Sequence, residues 1–201
     1  MDKILQENAY GILGLKASSS QSEIRKRSKK IIRYLNMSRN PDIGLDFEVY
    51  HEIRSERSVK RAAERLTHPE KKIIDTFFWF NEAEPVDERA IKLLNDKKYN
   101  KSIDLWGEKI QEESNSYPLS QKNLALLYCL LMLQKEIEVK AYLKESLSLW
   151  KEVINSDKFW KAYTRFYQLY DEIDTREEVI SDFKKNAEGY ISDLYTELYN
   201  F

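Results

Sequence analysis

The stretch Tyr10-Gly-Ile-Leu-Gly-Leu15, followed by Ser20-Gln-Ser-Glu-Ile24 and a strongly basic run, decides the fold of this chain. Ser20 and Glu23 have the Ser-x-x-Glu spacing in which the serine oxygen accepts the amide of the third helical residue and the glutamate reaches back to the cap amide. A helix therefore begins here. From Ile24 the apolar or small positions are Ile24, Ser28, Ile31 and Leu35, one stripe at the helical period, and Lys26, Lys29, Lys30 and Arg33 occupy the opposite face. Upstream, Ala9, Ile12, Leu13 and Leu15 make a shorter apolar stripe ended by Gly14, a residue suited to the left-handed backbone at a helix end. Two helices are expected to pack through these stripes.

The Tyr-Gly-Ile-Leu-Gly-Leu segment resembles the Tyr-x-x-Leu-Gly-Val opening of J-domains, with a similar interval to the Glu-Ile that starts their second helix. Further along, Ala62-Ala-Glu-Arg-Leu66-Thr-His-Pro69-Glu-Lys71 resembles the closing segment of that family. J-domains place His-Pro-Asp right after the second helix, and counting from Glu23-Ile24 puts that tripeptide at Asn36-Met37-Ser38, where none of the three residues matches. Asn40, Pro41 and Asp42 retain a proline and an aspartate without the histidine, which is also ordinary turn chemistry between helices. The resemblance implies a degenerate J-like (DnaJ-like) hairpin unit, similar to bacterial J-like proteins that carry a Phe-Trp-Phe segment after the closing Pro-Glu-Lys. It does not carry over stimulation of ATP hydrolysis by a DnaK-type chaperone.

Composition points the same way on fold class. The 201 residues include only five glycines and four prolines, with 33% charged and 12% aromatic side chains, which argues against disorder and against a turn-rich β protein. An all-α fold is expected. The single Cys129, inside the apolar run 124–133, excludes a disulfide within the chain and reads as a buried, inert thiol suited to a reducing cytoplasm. No segment has the pattern of a secretory signal or the length of a membrane span, so a cytoplasmic protein without membrane contact is expected.

Helices are expected over 3–13, 20–36, 45–66 and 69–81, completing a J-like domain at 1–81. The fourth contains Phe77, Phe78, Trp79 and Phe80, an aromatic block that needs cover on more than one side and reads as the joint to the second half of the chain. An exposed docking patch is the alternative. After Pro85, Ala90, Leu93, Leu94, Tyr99, Ile103 and Trp106 resemble the antiparallel helix pair of a tetratricopeptide repeat, and 118–135 with 137–154 suggest a second, poorly matched pair. A tetratricopeptide-like helical domain at 86–201 is the consequence. Its cap is the stripe Ile180, Phe183, Ala187, Tyr190, Leu194 and Leu198, which packs on Phe159, Trp160, Tyr163, Phe166 and Tyr170 in a monomer or, alternatively, forms a coiled-coil dimer.

Chemistry-bearing groups are sparse. With two histidines, one cysteine and no phosphate loop, no catalytic residue, metal site or cofactor is expected. His51 is placed on the surface of the third helix and His68 at a cap or turn before Pro69. Charge is the stronger signal: residues 1–75 hold 16 basic and 11 acidic residues, net +5, and the remainder 17 and 23, net −6. Within 23–39, Arg25, Lys26, Arg27, Lys29, Lys30, Arg33 and Arg39 face Glu23 alone. Arg25, Lys26, Lys29, Lys30 and Arg33 are the candidate partner-binding face, with Arg54, Arg57, Arg61 and Arg65 as a second stripe on the third helix. By resemblance, the basic second helix of a J-domain approaches the acidic surface of its partner chaperone. A non-enzymatic, co-chaperone-like adaptor for a DnaK-type chaperone or a client peptide is therefore expected, with nucleic-acid binding through the same face as the alternative. A solvated face that binds nothing remains open.

Overall fold

Asn8 starts the fold by competing with its own backbone. Its Oδ1 accepts from Gly11 N at 3.2 Å, and its Nδ2 donates to the carbonyls of Asp75 and Phe78, so the helix begins at Ala9 rather than at residue 3. A computed structural model of the chain describes residues 3–39, 43–112, 118–134 and 139–199. Its described residues form ten α-helices and one 3-10 turn, without strands: α1 (Ala9–Leu13), α2 (Gln21–Asn36), α3 (Glu56–Arg65), α4 (Pro69–Phe77), α5 (Pro85–Asn95), α6 (Tyr99–Glu112), α7 (Pro118–Leu133), α8 (Val139–Ile154), α9 (Asp157–Leu169) and α10 (Glu177–Tyr199). The fold is all-α, as its composition requires.

The local signals at α1 and α2 are realised. Gly14 takes the left-handed conformation at φ 58° and closes α1, with Leu15 N donating to Tyr10 O at 3.0 Å. Glu23 N donates to Ser20 Oγ at 3.2 Å, and Ser20 N donates to Glu23 Oε2 at 2.8 Å. Ile24, Ser28 and Ile31 are buried, with Leu35 half-buried beside them. Gly11 answers a different need, because a methyl there would overlap the ring of the fully buried Tyr50, whose hydroxyl donates to Leu5 O at 2.7 Å. Gly11→Ala should cost about 1–3 kcal/mol by overpacking, read as a lowered midpoint in urea with an unchanged slope.

Two further expected helices are also shorter than their sequence spans. The span 45–66 breaks into a 3-10 turn at Glu48–Tyr50 and then α3 from Glu56. Ser55 caps α3 by accepting from Ser58 N at 3.1 Å, and Ser58 Oγ donates to Ile53 O, so the preceding backbone is held outside the helix. The break turns Phe47 and Tyr50 into the core. Likewise α4 stops at Phe77 rather than 81, because α7 supplies the partners that a helix would have given: Lys122 Nζ donates to Trp79 O, Asn81 N donates to Asn123 Oδ1, and Asn123 Nδ2 donates to Asn81 O.

From α5 onward the chain doubles back repeatedly. A three-residue turn with Lys97 at φ 56° joins α5 to α6, and Lys98 N donates to Leu93 O. Small, buried Ala90 offers its carbonyl to Ser102 Oγ at 2.9 Å across the pair. Helix α7 is buried from Leu119 to Leu133 and touches α5, α6, α8, α9 and α10. Along α10, Ile180, Phe183, Ala187, Ile191 and Leu194 are buried against the same chain, with Tyr190 and Leu198 half-buried. Phe183 meets Phe77 at 5.0 Å, Trp160 at 6.2 Å and Tyr163 at 6.2 Å between ring centroids. The apolar stripe of this helix is thus consumed inside the molecule.

One continuous core results. Phe77, Phe78, Trp79 and Phe80 are all buried, so the block offers no exposed patch. Phe77 is surrounded by Trp150, Phe159, Trp160 and Tyr163 from α8 and α9, whereas Trp79 and Phe80 face Phe47, and Phe80 stacks on Trp106 of α6 at 5.9 Å.

Candidate functional site

Helix α2 lies on α1 and α3 through its Ile24, Ser28 and Ile31 face, which leaves the opposite face to solvent. Arg25, Lys26, Lys29, Lys30 and Arg33 are all exposed there, and Arg27 is half-buried. None of the five forms an ion pair with an acidic side chain among the described residues. Lys30 lies 5.9 Å from the centroid of the Tyr34 ring one turn on. Glu23, the sole acid of the helix, is engaged with Ser20, whose amide and hydroxyl hold its carboxyl below the usual range. It is tied to the cap, and it also attracts Lys26 and Arg27 one turn on without forming an ion pair with either.

At the amino end of α2 an open cleft of about 380 Å³ is lined by Gln21, Ser22, Arg25, Lys26, Lys29 and Glu172. Glu172 Oε2 accepts from Gln21 N at 2.7 Å, so the first amide of the helix already holds a carboxylate from the 170–176 connection. A carboxylate can evidently reach this end of α2, and the cations along it retain their capacity for others.

The second stripe read from the sequence does not exist as a surface feature. Arg54 precedes α3, with its side chain buried, and donates from Nε to Ile12 O at 2.8 Å and from Nη2 to Asp46 at 2.6 Å. Arg65 turns inward to the buried Asp75, Nε to Oδ2 at 3.0 Å. Arg57 and Arg61 stay exposed, and Arg61 pairs with Glu7 at 3.3 Å. A helix running through residue 54 was needed to align all four, and the break at Ser55 removes it. His51 lies at the end of the 3-10 turn, 2.8 Å from Asp46. His68 occupies the cap position of α4 without a side-chain cap bond. Asn40, Pro41 and Asp42 lie outside the described residues.

Charge-based reading misses a buried polar cluster that organises α5, α6 and α7. Asp87 accepts from Ser120 Oγ at 2.7 Å, Trp106 Nε1 at 2.9 Å, Glu84 N at 3.1 Å and Asn123 Nδ2 at 3.2 Å. Burial still pushes its carboxyl above the usual range, against those four bonds. Asp87 is fully buried, so its visible role is to fix the amino end of α7 against α5 and α6. The only signal for it in the sequence is a polar Ser120-Gln-Lys-Asn123 segment ahead of a leucine-rich run. Cys129 is buried beside Ser146, and burial pushes its thiol up to about 11, far from a thiolate at neutral pH.

Among the described residues no group of His, Cys, Asp and Glu converges to hold a metal ion, and no helix is long and apolar enough to cross a membrane. No family model matches this chain, and no curated protein or solved structure matches it either.

Proposed function

We propose that this protein is a non-enzymatic interaction module of the cytoplasm, a degenerate J-like unit joined to a tetratricopeptide-like unit, that holds an acidic surface of a partner protein on the basic face of α2. The observation that carries this reading is the row of exposed cations from Arg25 to Arg33 without an acidic partner among the described residues. A solvated structural face gains by interspersing charges of both signs, as i to i+4 pairs do on Lys60 and Glu56 of α3. The α2 face forgoes that. Packing of α2 against α3 with α1 across both supports the J-like part of the reading, and the absence of His-Pro-Asp supports an adaptor that binds without stimulating ATP hydrolysis.

The test uses a DnaK-type chaperone as the acidic partner. Binding should weaken by at least about tenfold, some 1.4 kcal/mol, when Lys26, Lys29, Lys30 and Arg33 are replaced together by glutamate, with the circular dichroism spectrum unchanged. Steady-state ATP hydrolysis by the chaperone should stay at its basal rate with wild-type protein. Equal binding by wild type and variant would remove the α2 face from the proposal. A duplex DNA arm separates the alternative, since neutralising four phosphates gives a log-log salt slope near −3.6, at about −0.9 per phosphate.

A further inference from the structure

Between α9, the amino end of α7 and the 82–84 connection lies a groove of about 550 Å³. One wall is a ridge of α9: Lys158, Lys161 and Arg165, spaced three and four apart and therefore on one helical face. All three are exposed, and none is ion-paired among the described residues. Apolar surface continues from this ridge toward the carboxyl end of α9, where Ala162 and Phe166 line the floor and Leu169 is 72% exposed, an unusual state for a leucine on a helix that buries five aromatic rings. Glu82 and Glu84 border the opposite side, Glu82 already held by Lys16 at 2.7 Å.

The groove sits beside the α2 face. Leu169 and Tyr170 border it, and Glu172, two residues on, is the residue that lines the α2 cleft and accepts from Gln21 N. The Asp87 cluster makes its wall rigid, because Ser120 lines the groove and donates to Asp87.

We infer that this groove is a second binding site, for an extended acidic peptide segment in which two carboxylates at alternate positions are followed by a large apolar side chain. Geometry sets the pattern. From Lys158 to Leu169 is about 16 Å of helix at 1.5 Å per residue, the reach of about five extended residues. In an extended chain, residues two apart point the same way at a separation of roughly 6.6 Å, close to one turn of the basic ridge at about 5.4 Å. Alternate carboxylates thus meet successive cations, and the next residue on that side meets Phe166 and Leu169. The same arrangement disfavours a nucleic acid, whose uninterrupted row of phosphates would gain nothing from the exposed Leu169 at the end of the ridge. The inference rests on the reading above in one respect, that the partner is an acidic protein.

Fluorescence anisotropy with a labelled synthetic peptide of about ten residues, carrying the Glu-x-Glu-x-Leu pattern, provides the test. Comparison probes replace its glutamates by glutamine or its leucine by serine, and a single-stranded oligonucleotide serves as the nucleic-acid arm. The parent peptide should bind, and Lys158→Glu, Lys161→Glu and Arg165→Glu together should weaken it by at least about tenfold. Leu169→Ser should weaken the parent peptide severalfold and leave the serine version of the probe unaffected. No binding of the parent peptide, tighter binding of the oligonucleotide, or indifference to the α9 triple variant would overturn the inference. The α2 quadruple variant keeps the two proposals apart: peptide binding lost with it and retained by the α9 variant sinks the groove and leaves the α2 reading standing, and the converse result supports the groove alone.

Discussion

Trp79→Ala should lower the unfolding free energy by about 3–5 kcal/mol, the usual penalty for emptying a large aromatic site in a core. Trp79 is fully buried, its indole edge-on to Phe47 at 6.1 Å, Tyr50 at 5.9 Å and Phe80 at 5.5 Å. Its Nε1 donates to Leu15 O at 2.7 Å, the residue that comes after the Gly14 turn. Its carbonyl meanwhile receives Lys122 from α7. One residue therefore ties α1, the 47–50 segment and α7 together, and a domain stable by about 5–15 kcal/mol has little margin for its loss. Urea unfolding followed by circular dichroism measures the effect. Trp79→Phe separates its two parts, because it keeps most of the ring and leaves the Leu15 carbonyl without its donor, at a cost of about 1–3 kcal/mol. A Trp79→Ala protein within about 1 kcal/mol of wild type would show that the block contributes no core.

The elements that could be read from the sequence are those whose causes lie within a few residues. Ser20 and Glu23 sit three apart, Gly14 comes directly after its own helix, and the Ile24, Ser28, Ile31 stripe needs only the helical period. The boundaries that differ from the sequence spans depend in part on distant groups, although the Ser55–Ser58 cap that starts α3 is local. Nothing near Phe77 says that α4 should end there; the reason is a lysine and an asparagine more than forty residues on that bond the backbone of Trp79 and Asn81. Similarly, Phe47 and Tyr50 fit a helical stripe as well as they fit a 3-10 turn, and the choice falls to the aromatic cavity they fill.

The candidate sites divide along the same line. The α2 face was legible because exposure and charge derive from one amphipathic helix, and its lack of acidic residues beyond Glu23 is visible in the sequence itself. Arg54 and Arg65 depart for the converse reason: spacing places them on a face, but each turns to an acidic acceptor, the half-buried Asp46 or the buried Asp75, that periodicity does not reveal. The α9 groove was out of reach, since its walls come from residues 82–84, 118–120 and 158–170.

Lys122 should make stability rise with pH well before ordinary lysines titrate. Burial holds its ammonium well below the ordinary 10.5, opposed by the nearby Asp87 carboxylate. Between that lowered value and 10.5 the unfolded chain binds a proton that the folded chain does not. Each unit of pH across this window therefore favours the folded state by up to about 1.4 kcal/mol. Below the window both states are protonated and the cost of the buried charge is fully present; above it both are neutral and the slope vanishes. Asp87 contributes the opposite slope, since its raised carboxyl favours folding most at low pH. Above about pH 10 the buried Tyr10 and Tyr163 also oppose the gain, because burial raises both and the unfolded tyrosines ionise first. The measurement is accordingly urea unfolding from about pH 7 to about pH 9.5, where neither tyrosine nor exposed lysine contributes much. Lys122→Met keeps the apolar stem and removes the titrating group, so the wild type should gain stability relative to it across that range, on top of the small loss above about pH 8.5 that both share as the unfolded Cys129 thiol ionises and the buried one does not. Equal slopes in the two proteins would mean that Lys122 stays charged when folded, and that Asp87 rather than burial governs it.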